Sequence, residues 1–252
     1  MFLAADLGNS NIVLAIHNGE SWIHTFRYES KDKQPTLYYI NGLSEILLEW
    51  GISVHDIHKT GISSVVPDLN EKISDAIKYV TGKVPHTLGP EDFINLDIDV
   101  PLVYEIGSDL VANSYAALKR YDTDCLIVDF GTALTFTVVS KEKGIQGVSI
   151  APGLKTAMLS LSGNTAQLPE VWLTWPDSAL GNDTESAIRA GVLIGYFGLV
   201  KEMKSRILQE YPSIKKVIGT GGLVDAISQL KSEFDETDKF LTLEGIRLIV
   251  DK

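Results

Sequence analysis

With 252 residues, 44% of them hydrophobic and 22% charged, the chain can bury one large core or two small ones and has the balance of a globular enzyme. Its net charge of −11, with no block or stripe of Lys and Arg, argues against nucleic acid and anionic membrane as main partners. The single cysteine, Cys125, excludes an intramolecular disulfide framework, no apolar run reaches membrane-spanning length, and no secretory signal is expected ahead of the strand at Phe2, so a cytoplasmic setting is expected.

Strands are expected over 2–7, 11–17 and about 21–28, with Asn18-Gly19 as a hairpin signal between the last two. Residues 36–50 place Leu37, Ile40, Leu43, Leu47 and Trp50 at helical spacing. A buried strand over 60–66 closes at Pro67, and Asp68 is expected to cap a helix that turns Leu69, Ile73, Ile77 and Val80 inward. Residues 84–104 read as irregular with short extended pieces, and Gly107-Ser108 opens a helix to about Arg120. The order then repeats. Strands fall at 124–129, 133–140 and about 145–150, and Pro152-Gly153 leads into a helix at 154–162. A long helix is expected from Asp183-Thr184 to about Glu210, then a strand at 215–219, a helix at 223–233, and a short strand and helix over 239–252. Each half therefore reads β-β-β-α-β-α, with domains expected at 1–121 and 122–252 and a boundary at the Tyr121-Asp122-Thr123 turn.

Two loops about half a chain apart carry the chemistry. In each, an apolar strand ends in Asp-x-Gly followed by an amide or hydroxyl: Asp6-Leu7-Gly8-Asn9-Ser10 and Asp129-Phe130-Gly131-Thr132. Glycine admits close approach of the backbone and positive φ, successive turn amides and a hydroxyl bind anionic oxygens, and the carboxylate suits hydrated magnesium. One such loop would more often be a bare hairpin turn; the duplication points to phosphate and metal.

The repeated three-strand start resembles the actin, sugar-kinase and heat-shock ATPase superfold, an α/β class with two tandem actin-like, ribonuclease H-like domains and a nucleotide cleft between them. Within it the motifs resemble the type III pantothenate kinase family. The resemblance covers nearly the whole chain. It is carried by Asp6 to Ser10, by Gly107-Ser108-Asp109-Leu110-Val111-Ala112-Asn113, by Asp129 to Thr135, by Ile150-Ala151-Pro152-Gly153-Leu154 and by Gly181-Asn182-Asp183-Thr184. It implies an ATP-dependent kinase that phosphorylates pantothenate to 4'-phosphopantothenate, the first step of coenzyme A synthesis, acting as a homodimer on a small-molecule substrate. It implies that Asp6 (with Mg-ATP), Gly8, Asn9, Ser10, Asn11 and Val13 line the ATP phosphates, that Thr132 contacts ATP, and that Asp129 holds a monovalent cation, potassium or ammonium. It implies that Gly107, Ser108, Asp109, Leu110 and Thr184 lie at the acceptor. Gly219-Thr220-Gly221-Gly222, after a strand, would be the third loop of the superfold, with Gly221 beside the nucleoside. Asp109 is the expected general base, because a kinase must take a proton from the attacking hydroxyl and hold it in line. An acid in a first helical turn is also favoured by the helix dipole alone.

The chain departs from the family at Leu110, where the pattern Gly-x-Asp-Arg places an arginine on the pantothenate carboxylate. Leucine cannot make that pair, and Lys155 or Arg189 would have to substitute. Two alternatives therefore stay open: a kinase of the same fold acting on another small hydroxyl acceptor, and a nucleotide-binding regulatory protein without turnover. Smaller departures are Ser10 for the usual Thr and Gln146-Gly147 for a usual Gly-Gly pair. The five histidines show no metal-ligand spacing and read as surface or loop residues, while Trp172 and Trp175, after Leu168-Pro169, read as packing or interface residues.

Overall fold

The structure, a computed structural model, describes residues 1–30, 34–162 and 174–252; Leu168, Pro169 and Trp172 lie outside them. The chain divides into two compact units, Met1–Ala116 with Phe240–Lys252, and Ala117–Lys239. In the first, β1 (Phe2–Leu7), β2 (Asn11–His17), β3 (Trp22–Glu29), β4 (Lys59–Ser64) and β5 (His86–Thr87) form one mixed sheet in the order β3-β2-β1-β4-β5. The β1–β2 and β2–β3 pairs are antiparallel, while β4 runs parallel to both β1 and β5. The helices are α1 (Thr36–Glu49), α2 (Pro67–Thr81), the short α3 (Pro90–Ile94) and α4 (Ser108–Tyr121), whose last turns enter the second unit. There β6 (Cys125–Phe130), β7 (Ala133–Ser140), β8 (Gly144–Pro152), β9 (Lys216–Thr220) and β10 (Glu236–Thr237) repeat the arrangement as β8-β7-β6-β9-β10, with α5 (Leu154–Ser162) and α6 (Thr184–Glu210).

Alternation along the strands fixes what each face meets. Leu3, Ala5 and Leu7 of β1, with Ile12, Leu14 and Ile16 of β2, pack on Tyr39, Leu43 and Leu47 of α1 and on Leu69, Ile73 and Ile77 of α2. Leu37, expected on that face, is 61% exposed; Tyr39, Leu43, Ile46 and Leu47 form the stripe instead. In the second unit Leu126, Val128 and Phe130 of β6 and Leu134, Phe136 and Val138 of β7 pack with Leu193, Tyr196 and Val200 of α6. Asn18 closes the β2–β3 hairpin by accepting the amides of Glu20 and Ser21 at its Oδ1, both at 2.9 Å, with Gly19 at φ +107°.

Several elements differ from the sequence expectation. Val66, not Asp68, is the N-cap of α2, because Pro67 takes the first helical position; Asp68 sits in the first turn. Residues 223–233 form turns and a 3₁₀ helix, Ser228–Glu233, in place of an α-helix. The last helix, α7 (Leu241–Val250), belongs to the first unit and not to the second half in which the repeat placed it. It packs on the opposite face of β1 and β4 from α1 and α2, where Gly61 leaves room: a Cβ there would lie 2.8 Å from Ile246 and 3.0 Å from Phe2. Gly245 of α7 abuts the Ala112 backbone of α4, and Thr242 donates to Asn113 Oδ1 at 2.8 Å.

Candidate active site

Asp6 is the penultimate residue of a six-residue central strand and the one position of β1 that is not fully buried; Asp129 holds the same place in β6, with the same burial sequence. Each lies between an antiparallel and a parallel neighbour in register. Asp6 stands beside Val13 and Ser63, and Asp129 beside Thr135 and Thr220.

Beyond Asp6 the chain reverses through Gly8-Asn9-Ser10. The Gly8 amide donates to Asn11 O at 3.0 Å, and Ser30 closes the loop from the side, its amide donating to Ser10 O at 3.0 Å and its hydroxyl to Gly8 O at 2.5 Å. Asn9 and Ser10 are exposed at the tip, while Asn11 and Val13 are partly exposed where β2 begins. In the second loop the Gly131 amide donates to Ala133 O at 3.1 Å. Asp6 pairs with Val13 but Asp129 with Thr135, so this turn is one residue shorter. Thr132 is exposed, and its carbonyl accepts from the Gly153 amide at 2.9 Å and from Thr156 Oγ1 at 2.7 Å. Gly153, where α5 begins, is thus a brace for this loop. Neither Gly8 nor Gly131 adopts positive φ, contrary to the role expected for them. Close approach is what these positions need: a Cβ would lie 3.2 Å from Asn11 O at Gly8 and 3.4 Å from Ala133 O at Gly131. The left-handed backbone occurs at Gly221, φ +91°, whose Cβ would run into Asp129 Oδ1 and stand 2.6 Å from the Phe130 nitrogen.

Asp109 lies in the first turn of α4. Its Oδ1 accepts the Leu110 amide at 2.8 Å, and the carboxyl folds back over Gly107, where a Cβ would collide with it. Burial holds its pKa above the usual carboxylate range, against the pull of the Leu110 and Asp109 amides. Ser108, beside it, is buried, and its hydroxyl is engaged by the end of β4. It lies 2.9 Å from Ser63 Oγ, accepts the Ser64 amide at 2.9 Å and lies 3.1 Å from Ser64 O. Because Ser63 is the register neighbour of Asp6, the first unit gathers Asp6, the Gly8–Asn11 loop and Gly107–Leu110 at one end of its sheet.

Thr184 is exposed at the start of α6 in the second unit, behind an Asp183 cap whose Oδ1 accepts the Ser186 amide at 2.8 Å. That hydrogen bond holds the Asp183 carboxyl below its usual pKa. Gly181 lies against the Ser186–Ala187 backbone, so no side chain fits there. Lys155 is exposed on α5; Arg189 pairs with Glu185, and its Nε is buried without a partner. Leu110 is half-buried. His17 is buried in β2 with Nδ1 accepting the Gly19 amide at 3.1 Å, so it is a core residue and not the surface residue expected. Cys125 is buried, and burial pushes its thiol up to about 12. Among the described residues no three His, Cys, Asp or Glu side chains gather as a metal site, and no helix is long and apolar enough to cross a membrane.

Motif reading gave no role to Ser63 and took in Thr135 and Thr220 only as members of their loops. The last two have buried hydroxyl oxygens without a hydrogen-bond partner, in register on either side of Asp129. Superimposing the repeats at the sequence level would have singled out Ser63 and Thr220, since a hydroxyl residue stands beside each aspartate on the parallel strand; Thr135 has no such counterpart, because Val13 takes its place beside Asp6.

Two five-stranded sheets of identical strand order, each ending its central strand in an aspartate ahead of a glycine turn, define a two-unit α/β protein of the actin-like fold. Solved structures agree with that fold: a Baf family transcriptional activator from Campylobacter jejuni superimposes with a TM-score of 0.60 at 22% identity, over 99% of this chain and 97% of the other. The (R)-2-hydroxyglutaryl-CoA dehydratase component A from Acidaminococcus fermentans does so with a TM-score of 0.51 at 10% identity, over 99% and 95%. The family is given by sequence: residues 2–206 match the type III pantothenate kinase family, and the chain belongs to it. Type III pantothenate kinases from Dictyoglomus turgidum and Geotalea daltonii are each 36% identical to it, over 98% and 100% of this chain and 97% and 98% of their own lengths. The chain is a small-molecule kinase of that family.

Proposed function

We propose that this chain transfers the γ-phosphoryl group of ATP to a hydroxyl of pantothenate, giving 4'-phosphopantothenate for coenzyme A synthesis, with Asp109 as general base. The observation that carries this is the Asp109 carboxyl: desolvated, folded over the start of α4, and joined through Ser108 and Ser63 to the strand end that presents Asp6. A carboxylate so held takes the proton of the attacking hydroxyl, while the surrounding groups position the phosphates and balance their charge, which is most of what phosphoryl transfer requires.

In the first unit Asp6 holds Mg²⁺ with ATP, and Gly8, Asn9, Ser10, Asn11 and Val13 line the phosphates. In the second, Thr132 contacts ATP and Gly221 gives the bare backbone a nucleoside needs. Asp129 is the ligand for potassium or ammonium, and Thr135 and Thr220 fit that role with it, since their buried oxygens lack a protein partner and hard oxygen donors suit such an ion. Bound cations offset the charge of the triphosphate. At the acceptor, Gly107 makes room for the Asp109 carboxyl and Leu110 lines the site; the acceptor role of Thr184, in the second unit, rests on the family's motif alone. The protein acts as a cytoplasmic homodimer.

A second acceptor is favoured by Leu110, which cannot pair with the pantothenate carboxylate. The test is a coupled ADP-release assay over pantothenate, pantetheine and related hydroxy acids, with the wild type and Asp109→Asn. The variant should keep ATP binding and lose about 10²–10⁴-fold in kcat, the scale of a missing general base. Near wild-type turnover would reduce Asp109 to a helix-start acid. ATP binding with no turnover of any hydroxy acid would favour a regulatory protein.

A further inference from the structure

We infer that Ser108 is a positioning residue: with Ser63 it forms a hydroxyl pin between the first turn of α4 and the end of β4 that fixes Asp109 relative to Asp6. The inference rests on Asp109 acting as the base. The Ser108 hydroxyl has Ser63 Oγ and the Ser64 amide both at 2.9 Å and the Ser64 carbonyl at 3.1 Å. Ser63 is 0% exposed and Ser108 6%. A hydroxyl has one proton to donate and two lone pairs, so this seat uses its capacity to the full. Buried groups of this kind are costly to leave unpaired, which makes the pin directional and not merely adhesive.

The placement gives the pin its consequence. Ser63 is the register neighbour of Asp6 on β4, and Ser108 precedes Asp109 in the chain. One hydroxyl contact therefore ties the strand end that carries the first loop to the helix end that carries the base. The second repeat supplies the contrast. Thr220 stands to Asp129 as Ser63 stands to Asp6, yet its buried oxygen has no partner. The fold does not need this hydroxyl to be paired; it is paired in the unit that holds Asp109. Gly107 completes the device, since a side chain there would collide with the Asp109 carboxyl and push it off the helix start. Gly107 makes room, Ser108 anchors and Asp109 reacts. Leu110 contributes its backbone amide to the Asp109 carboxyl, a hydrogen bond that does not depend on its side chain.

The test measures kcat, KM for ATP, KM for acceptor and thermal stability for Ser108→Ala, Ser63→Ala and the double variant, and repeats Ser108→Ala in an Asp109→Asn background. Displacing a reacting group by a fraction of an ångström to one ångström costs about 10- to 100-fold, so Ser108→Ala should lower kcat by that factor with KM for ATP within about twofold of wild type. Ser63→Ala should lower kcat in the same direction, and the double variant should be no worse than the worse single one, because both remove one pin. In the Asp109→Asn background Ser108→Ala should have no further effect on kcat; with Asp109 intact, Ser108→Thr, which keeps the hydroxyl, should turn over faster than Ser108→Ala. If Asp109→Asn is impaired but Ser108→Ala retains wild-type kcat, the pin is overturned and the base stands. If Ser108→Ala slows both backgrounds equally, it acts other than through Asp109 and the inference fails. If Asp109→Asn itself turns over normally, the base assignment falls first and the pin with it.

Discussion

Gly221 lies directly against Asp129: its φ is +91°, and a Cβ on it would run into Oδ1 of the aspartate. The third glycine loop and the second aspartate are therefore one structural unit, built where β9 runs parallel to β6. Gly221→Ala should be costly on both counts. A left-handed backbone alone makes alanine unfavourable by more than about 1 kcal/mol, and the collision must displace the carboxylate or the Phe130 backbone. Thermal unfolding should show the loss, and KM for ATP should rise with it. An alanine variant with wild-type stability and KM would mean that the loop yields freely and does not define the Asp129 environment.

Asp109 gives a stability prediction of unusual sign. Burial raises its folded pKa above the ordinary value of 3.8, so the native state binds this proton more tightly than the unfolded chain does. The native protein then holds the proton over a window where the unfolded chain has released it, and stability falls as pH rises from about 4 through the raised value. Asp109→Asn removes that penalty. It should be less active but more stable than wild type at neutral pH and lose the advantage below pH 4, a trade expected where a carboxylate is desolvated for chemistry. Melting curves of the two proteins between pH 4 and 8 test it; a variant less stable at neutral pH would show that hydrogen bonds to the carboxylate outweigh its burial.

The cation assignment predicts that potassium or ammonium supports turnover and sodium does so poorly. Asp129→Asn and Thr220→Val should remove the difference. A readout independent of activity is the thermal shift on adding each salt at matched ionic strength, since an ion that binds the native state raises its stability by mass action. Equal rates and equal shifts in all three salts would remove the cation from Asp129.

How far the sequence reveals this protein depends on the kind of interaction. The duplicated Asp-x-Gly turns and the Asn18-Gly19 hairpin are legible because their chemistry is local, and both sheets begin with the three-strand meander they imply. The cap of α2 is misread by two residues because Pro67, which cannot donate an amide, takes the first helical position and leaves Val66 as the cap, with Asp68 inside the first turn. The place of α7 is illegible because nothing local says which sheet a terminal helix covers; Gly61 and Gly245, which admit it, are unremarkable in sequence. Ser108 is readable as part of a motif but not as a pin, since its partners, Ser63 and Ser64, are 45 and 44 residues away in the chain.

Leu110 predicts the acceptor. If pantothenate is the substrate and no other cation meets its carboxylate, KM for pantothenate should be high, and Leu110→Arg should lower it by at least about tenfold, since an arginine fork adds charge and two aligned hydrogen bonds. Pantetheine, which lacks that carboxylate, should respond less. A low wild-type KM made worse by Leu110→Arg would mean that another cation of the chain already fills the role.

The most direct test of the account is to incubate the purified chain with ATP, magnesium, potassium and pantothenate and to detect the product by mass spectrometry. Phosphopantothenate should accumulate with one ADP per molecule formed, and Asp109→Asn should yield it about 10²–10⁴-fold more slowly while still binding ATP. Bound ATP with no phosphorylated pantothenate over the same interval, in wild type and Leu110→Arg alike, would contradict the assignment.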